Sequence, residues 1–268
     1  TSYSSPVQVG ALTDWASVST GYQCTLATKT DGTLWAWGSN AHSQLGTNNA
    51  TNYSSPVQVG ALTNWASVAV AAANSGSVVA TKTDGTLWAW GKNGFGQLGQ
   101  NNLTTYSSPV QVGALTTWKN ACSGDYFTVA TATDGTLWAW GQGNSGQLGQ
   151  TSTTSYSSPI QVGALTNWTV NAGTAGFAFC SVVKTDGTLW TWGINSTGQL
   201  GHSTYSNITS PKQVGALTSW SNAVSRNQNS SFLSITGQLF ACGYSNQGAL
   251  GLGATNITNS PIQVGALT

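Results

Sequence analysis

Residues 30–46 read Thr-Asp-Gly-Thr-Leu-Trp-Ala-Trp-Gly, seven further residues and a second glycine, and this stretch decides the fold. It returns at 83–99, 133–149 and 185–201, and in a changed form at 235–251, so the period is 50 to 53 residues. Self-similarity at such a period is typical of repeat architectures. The 268 residues therefore form one array of five units rather than two ordinary domains.

Each unit contains four short runs with a strand-like pattern and no helical period. The first, at 5–13 and in five later copies, has alternating apolar residues and a proline near its start. This suits an outer strand, because proline cannot donate to a ladder. The second run starts at Trp15 or its equivalent, and the third ends at an Asp-Gly pair.

The Asp31-Gly32 pair predicts a two-residue hairpin with a type I′ turn, leading into the fourth run at 33–37. In that run Leu34 and Ala36 face one way and the two tryptophans face the other. Burying a tryptophan contributes several kcal/mol, from ~150–250 Å² at ~25 cal/mol per Å². Neighbouring units must therefore cover both faces, which predicts an all-β protein, a β-propeller of five four-stranded antiparallel blades.

The predicted domain is a single repeat domain covering residues 1–268. An outer strand occupies 1–13, and the blades occupy approximately 14–63, 64–116, 117–166, 167–218 and 219–268. Six outer strands thus accompany five sets of inner strands. Either the extra strand is redundant or the chain is part of a longer array.

The stretch Asp84 to Gly99, with Asn93, Gly96, Gln97 and Leu98, resembles the repeat of the regulator of chromosome condensation family. The resemblance covers essentially the whole chain and points to a bacterial, phage or environmental member. It implies a β-propeller, usually of seven blades. Members include a nuclear exchange factor for a small GTPase that binds chromatin, a plant ultraviolet-B receptor and a secreted inhibitor of β-lactamases, so the fold does not name one function.

The composition disfavours several classes of partner. Charged residues make up 5% of the chain, against about 25% in ordinary soluble proteins, and the net charge is +1. A net charge this small provides no basic surface that would attract nucleic acid or anionic lipid. No apolar run approaches the ~20 residues of a membrane-spanning helix. We therefore expect no nucleic-acid partner and no membrane insertion.

Residues for catalysis are also scarce. Four of the six carboxylates belong to Asp-Gly turns, and Asp14 and Asp125 lie in different units, as do His42 and His202. Acid–base chemistry needs paired titratable groups. The four cysteines form no Cys-Xaa-Xaa-Cys and are interpreted as buried small side chains, with their disulfide state open. We predict a protein that is not an enzyme, with no catalytic residues, no cofactor and no metal site.

Recognition is expected where the units differ, on loops that a rigid scaffold carries. The segments that join the tryptophan-led strand to the next strand, here called the variable loops, are 21–23, 72–76, 124–126, 173–178 and 226–228. They should share one face of the propeller near its axis. Their aromatic, charged and amide side chains favour contacts with a partner. The candidate binding residues are Tyr22, Gln23, Asn74, Asp125, Tyr126, Phe177, Arg226 and Asn227.

The sequence therefore predicts a non-catalytic propeller module for binding or assembly, outside the cell, on a cell surface or on a virion. Its partner is a protein, a glycan or further copies of itself. The alternative is a purely structural spacer or filament subunit. An inhibitor of secreted enzymes and a GTPase exchange factor are less favoured, the second because 13 charged residues cannot form a large charged patch.

Overall fold

A computed structural model describes residues 5–71, 75–171 and 174–265. In this part of the chain, twenty strands form five antiparallel four-stranded sheets, which are the five propeller blades. Blade 1 contains β1 (Trp15–Gly21), β2 (Cys24–Lys29), β3 (Leu34–Gly38) and β4 (Tyr53–Gln58). Blade 2 contains β5 (Trp65–Val70), β6 (Ser77–Lys82), β7 (Leu87–Gly91) and β8 (Tyr106–Gln111).

The remaining blades follow the same order. Blade 3 contains β9 (Trp118–Ser123), β10 (Phe127–Ala132), β11 (Leu137–Gly141) and β12 (Tyr156–Gln161). Blade 4 contains β13 (Trp168–Thr169), β14 (Phe179–Lys184), β15 (Leu189–Gly193) and β16 (Ile208–Gln213). Blade 5 contains β17 (Trp220–Arg226), β18 (Asn229–Ser234), β19 (Leu239–Gly243) and β20 (Thr258–Gln263), with a short 3₁₀ helix at Asn246–Gly248.

The first outer strand differs from the prediction. Residues 5–13 form no strand, so one of the six expected outer strands is not part of a sheet in the described chain. The other five close the five blades, and each begins before its proline, as β4 does before Pro56. Proline is tolerated there because an edge strand leaves one row of its N–H groups without a ladder partner. The unit boundaries given above stay a prediction.

The predicted type I′ hairpin turns are wrong. In the first hairpin Gly32 N–H donates to Lys29 C=O at 3.0 Å, and Lys29 N–H donates to Thr33 C=O at 2.9 Å. Of the two residues of the Asp31-Gly32 pair, only Gly32 has a positive φ, of 79°. This φ and the two hydrogen bonds are typical of a type I turn followed by a bulge. Asp31 itself has no positive φ, and its Oδ1 accepts from the Thr33 N–H at 2.9 Å and from the Thr33 hydroxyl at 2.7 Å.

Adjacent blades pack through two different faces. The Leu face of blade 1 carries Leu34 and Ala36, and the opposite Trp face of blade 2 carries Trp65 and Trp90. These faces meet in one buried cluster, and the next three junctions repeat the arrangement. The fourth run of the repeat is the third strand of each blade, because the outer strand comes from the start of the next unit. The packing confirms that the leucine and tryptophan side chains of this strand point to opposite sides of the sheet. The cluster at the first junction contains Cys24, Leu26, Leu34, Ala36, Leu45, Val59, Trp65, Val70, Val78, Ala80 and Trp90.

Each junction also has hydrogen bonds at equivalent places. The Trp90 indole N–H donates to the Gln44 C=O of the preceding blade at 3.0 Å, and the Asn48 N–H donates to Ser107 C=O of the following blade at 2.7 Å. In blade 5 the tryptophan is replaced by Cys242, whose thiol lies 3.5 Å from Gln199 C=O. All four cysteines are buried, as interpreted from the sequence.

Candidate functional site

The described residues of the variable loops lie at one end of the blades, because the five sheets share one strand order. Each described loop is tied to the turn after the third strand of its own blade. Ser39 N–H donates to Gln23 C=O at 2.7 Å, and Gln142 N–H donates to Tyr126 C=O at 2.8 Å. In blade 5, Tyr244 N–H donates to Gln228 C=O at 3.0 Å. The scaffold therefore fixes the loop backbones that carry the candidate residues.

The loops of blades 1 and 5 are two-residue turns. Gln23 and Asn227 have positive φ values of 56° and 44°, a left-handed conformation that asparagine adopts more readily than most residues. Tyr22 and Arg226 are exposed beside them, at the first and last blade. Both turns thus present polar or aromatic side chains to solvent from a constrained backbone.

The loop of blade 3 packs on the neighbouring blade. The rings of Tyr126 and Phe95 have centroids 5.0 Å apart, and the Lys92 ammonium lies 5.6 Å from the Tyr126 ring. Asp125, which the sequence suggested as a contact residue, is only 4% exposed. Its side chain is thus part of the interior, and Tyr126 supplies the accessible surface of this loop.

The loops of blades 4 and 5 meet in one cavity of about 420 Å³. Phe177 comes from blade 4, and Asn227 comes from blade 5. Tyr244 adds a second partly exposed aromatic ring; Phe177 is 44% and Tyr244 39% exposed. The cavity is lined by Phe177, Asn227, Gln228, Asn229, Tyr244, Asn246 and Ala249. Two aromatic walls with amide groups between them can bind both apolar and hydrogen-bonding groups of a partner.

The structure thus brings together only some of the predicted residues. Phe177 and Asn227 share a cavity, whereas Tyr22, Gln23 and Tyr126 lie on other loops. Arg226 precedes Asn227 in the same loop but does not line the cavity. Asn74 falls outside the described residues.

Sequence reasoning missed Phe95, Lys92, Tyr244 and Asn246, which follow the third strand rather than the second. A signal was available, because the position of Phe95 varies among the units. It is occupied elsewhere by His42, Ser145, Thr197 and Gln247.

The titratable groups serve the scaffold. The hydroxyl and N–H of Thr86 donate to Asp84 and hold its pKa below the ordinary value, and the other hairpin aspartates are bound in the same way. Burial lowers the pKa of His202 to about 4, and its Nε2 lies 2.9 Å from the Thr191 hydroxyl. Asp14 pairs with Lys29 at 3.5 Å.

Three buried lysines form a feature that the sequence analysis did not predict. Lys82 Nζ lies 4.9 Å from the Trp65 ring and 3.7 Å from the Trp88 ring, so the ammonium is held between two indoles of one blade. Lys29 and Lys184 occupy the same place in blades 1 and 4. Burial lowers the pKa of Lys82 and Lys184. These cations pack on the indoles of the Trp face beside the Asp-Gly hairpins, at the opposite end of their strands from the variable loops.

Within residues 5–71, 75–171 and 174–265, no group of three or more histidine, cysteine or carboxylate side chains is placed to hold a metal ion. None of the helices in that part of the chain is long and apolar enough to cross a membrane. The face built by the variable loops offers aromatic and amide contacts rather than a set of acid and base groups.

Comparison with known proteins gives the same architecture. The family model described as RCC1-like domain matches residues 2–268. The chain is similar to human WBSCR16, with a TM-score of 0.79, 21% identity and coverage of 93% of this chain and 67% of that one. It is also similar to Prp20p of Saccharomyces cerevisiae, with a TM-score of 0.78, 20% identity and coverage of 90% and 61%.

Two relatives show that such a domain occurs within longer proteins. RUG3, a mitochondrial RCC1 domain-containing protein of Arabidopsis thaliana, is 31% identical over 115 residues, which are 42% of this chain and 26% of RUG3. The human E3 ubiquitin-protein ligase HERC2 is 29% identical over 190 residues, 69% of this chain and 4% of HERC2. The chain therefore corresponds to a small part of these relatives.

The predicted location outside the cell, on a cell surface or on a virion is wrong. RUG3 is mitochondrial, and Prp20p binds Gsp1p and histones, so the relatives point to an intracellular setting. The prediction failed because a low charge and a surface rich in serine, threonine and asparagine describe the chemistry of the surface and do not identify a cellular compartment.

Proposed function

Because the chain belongs to the RCC1-like domain family, we propose that it is a non-catalytic protein-recognition module whose partner binds the variable-loop face. Yeast RCC1 binds Kap60, and Prp20p binds Gsp1p and histones. These partners are proteins, which supports a protein as the ligand of this chain. The same relatives lend no support to a glycan ligand or to self-assembly.

The observation that carries this proposal is the cavity between the loops of blades 4 and 5. It joins Phe177, Asn227 and Tyr244 from separate parts of the chain, and two of the three are large aromatic residues. Partly exposed aromatic rings beside a cavity are the side chains that contribute most to protein interfaces. The Tyr126–Phe95 pair with Lys92 gives a second aromatic contact area on the same face.

The test starts from Phe177→Ala combined with Tyr244→Ala. The purified chain is immobilised, exposed to cell extract, and its bound proteins are quantified by mass spectrometry. A protein enriched on the parent chain is then purified and its affinity is measured by calorimetry. Removing both rings should weaken binding by at least about 100-fold, which is about 2.8 kcal/mol, since a single hot-spot residue contributes about 2 kcal/mol or more.

The matched control is Leu103→Ala, because Leu103 is exposed in a loop of blade 2 away from the variable loops. It should bind as the parent chain does. A partner that binds the double variant and the parent chain equally would contradict this site. Regular filaments of the parent chain with no bound protein would favour the alternative of a purely structural subunit.

A further inference from the structure

Two grooves lie at equivalent places between neighbouring blades, beside the strand ends that carry the Asp-Gly hairpins. The groove between blades 1 and 2 has a volume of about 310 Å³. The one between blades 4 and 5, here called the blade 4–5 groove, has about 560 Å³ and is lined in part by His202, Lys212, Trp220 and Phe240. The larger volume lies within the range of pockets that bind small molecules. The cavity of the variable loops lies at the other end of the same blades.

The blade 4–5 groove is wider because blade 5 contributes smaller side chains to it. Phe240 lines this groove at the place where Trp88 lines the groove between blades 1 and 2. In the buried layer of the same junction, Cys242 stands where the indole of Trp90 fills the first junction. Two tryptophans of the repeat are therefore replaced on this one face.

Blade 4 differs from the other units on the opposite wall. Thr191 replaces the alanine found at 36, 89, 139 and 241, and its cross-strand partner Lys212 replaces the valine or isoleucine at 57, 110, 160 and 262. The Thr191 hydroxyl donates its one proton to Leu200 C=O at 2.7 Å. Its 2.9 Å contact with His202 Nε2 is therefore a bond that the imidazole N–H donates. Three residues that are specific to blade 4 thus lie together.

His202 also changes the contacts beside the outer strand. In blade 2 the same position is Gln100, whose side-chain amide donates to Gln111 C=O on the outer strand at 3.0 Å, and Gln150 makes the equivalent bond in blade 3. His202 bonds to the third strand of its blade instead. Both His202 and Lys212 consequently line the groove.

The groove combines one cation with an aromatic wall. Burial, together with the nearby charge of Lys212, lowers the pKa of His202 to about 4, so the imidazole is neutral at pH 7. Lys212 is exposed and is then the one charged side chain among the lining residues, which include no carboxylate. The rings of Trp220 and Phe240, with centroids 5.2 Å apart, form the apolar wall. A negatively charged group joined to an aromatic ring complements these two features.

We propose that the blade 4–5 groove binds a small organic carboxylate with an aromatic body, whose carboxylate pairs with the Lys212 ammonium and whose ring packs on Trp220 and Phe240. Charge complementarity selects the acid over an amine of the same size, because the ammonium attracts the first and repels the second. The groove between blades 1 and 2 has no such cation, because Val57 occupies the place of Lys212. This inference does not depend on the proposed protein partner of the variable loops.

The test is an NMR titration of the purified full chain at pH 7 with phenylacetate and with benzylamine, which share a benzyl group and differ in charge. Phenylacetate should bind with a Kd of about 1 mM or tighter and shift the amide resonances of residues 201–203 and 212–215. Benzylamine should bind at least about tenfold more weakly, because its ammonium meets that of Lys212.

Three variants locate the site. Lys212→Gln should weaken phenylacetate binding about fivefold or more, whereas the matched control Lys119→Gln, which removes an exposed lysine of blade 3, should leave it unchanged. Phe240→Trp restores the side chain of the other units and should weaken binding by narrowing the groove. Circular dichroism verifies that each variant is folded. Equal affinities for the two compounds, full binding to Lys212→Gln, or shifts confined to amides elsewhere would overturn the proposal.

Discussion

Blades 2 to 4 and the two end blades have nearly the same repeat but different environments. In blades 2, 3 and 4 the second strand is buried along its whole length, whereas in blade 5 it alternates between buried and exposed residues. The tryptophan at position 37 is partly exposed, although its counterparts at 90, 140 and 192 are not. Equivalent residues therefore differ in burial because an adjacent blade covers some of them and not others, although the sheets that contain them are alike.

A blade is therefore not an independent unit of stability. Its apolar faces become a core only when another blade covers them, as expected when each repeat contacts its neighbours alone. The middle blades have two covered faces, and each end blade has one. Matched substitutions at equivalent positions measure this difference directly.

The largest effect is expected for leucine. Leu137→Ala in blade 3 should lower the free energy of unfolding by about 2–5 kcal/mol, because the side chain is fully buried and its loss leaves a cavity. Leu239→Ala at the equivalent place in blade 5 should cost less than about 1 kcal/mol, because that side chain is 41% exposed. Urea unfolding of both variants measures the two values. Equal losses would contradict the difference between middle and end blades.

A smaller effect is expected for tryptophan. Trp90→Phe keeps an aromatic ring but removes the indole N–H that donates to Gln44 C=O, which is then left buried without this donor. We expect a loss of about 1–3 kcal/mol. Trp37→Phe should change the free energy of unfolding by less than about 0.5 kcal/mol, because this ring lies on the open face. A loss for Trp37→Phe as large as for Trp90→Phe would mean that blade 1 is covered in solution.

The smallest effect concerns pH. Hydrogen bonds from Thr86 lower the folded-state pKa of Asp84 below the unfolded value of about 3.9. The resulting stabilisation is fully present above that unfolded value and is lost as the pH falls through the folded pKa. Asp84→Asn should therefore reduce the fall in thermal midpoint between about pH 5 and pH 2.

Blade 5 provides the control for this prediction, because Thr236 replaces the hairpin aspartate there. Thr236→Asn should leave the pH dependence of the thermal midpoint unchanged. An identical pH profile for Asp84→Asn and the parent chain would show that the hairpin carboxylate contributes nothing to acid stability.

Much of the scaffold could be predicted from the sequence. The period, the strand positions and the opposite directions of Leu34 and Trp35 follow from local pattern, which needs no knowledge of distant residues. The turn type could not be predicted in this way. The Asp-Gly pair was compatible with two hairpin geometries. The hairpin of blade 5 has the same backbone hydrogen bonds and a positive φ at Gly237 although Thr236 replaces the aspartate, so the pairing of the two strands and not the carboxylate decides the turn type.

The candidate site was predictable only in part. Variation among the repeats pointed to the loops of Phe177 and Asn227, which do share a cavity. Variation among the repeats could not show that Asp125 is buried, or that Tyr244 from a different loop lines the same cavity. The packing of loops from neighbouring blades joins residues that are distant in the chain: Phe95 and Tyr126 are 31 positions apart, and Phe177 and Tyr244 are 67 positions apart.

The features of a single blade follow from the amino-acid sequence: four strands, a hairpin at each Asp-Gly pair, and one leucine-rich and one tryptophan-rich side. These features arise within a single unit of 50 to 53 residues. The tertiary structure decided which of those sides are covered, that residues 5–13 stay outside the sheets, and where aromatic side chains from two blades form a cavity. The physical reason is that strand pairing follows local pattern, whereas burial depends on the neighbouring blade.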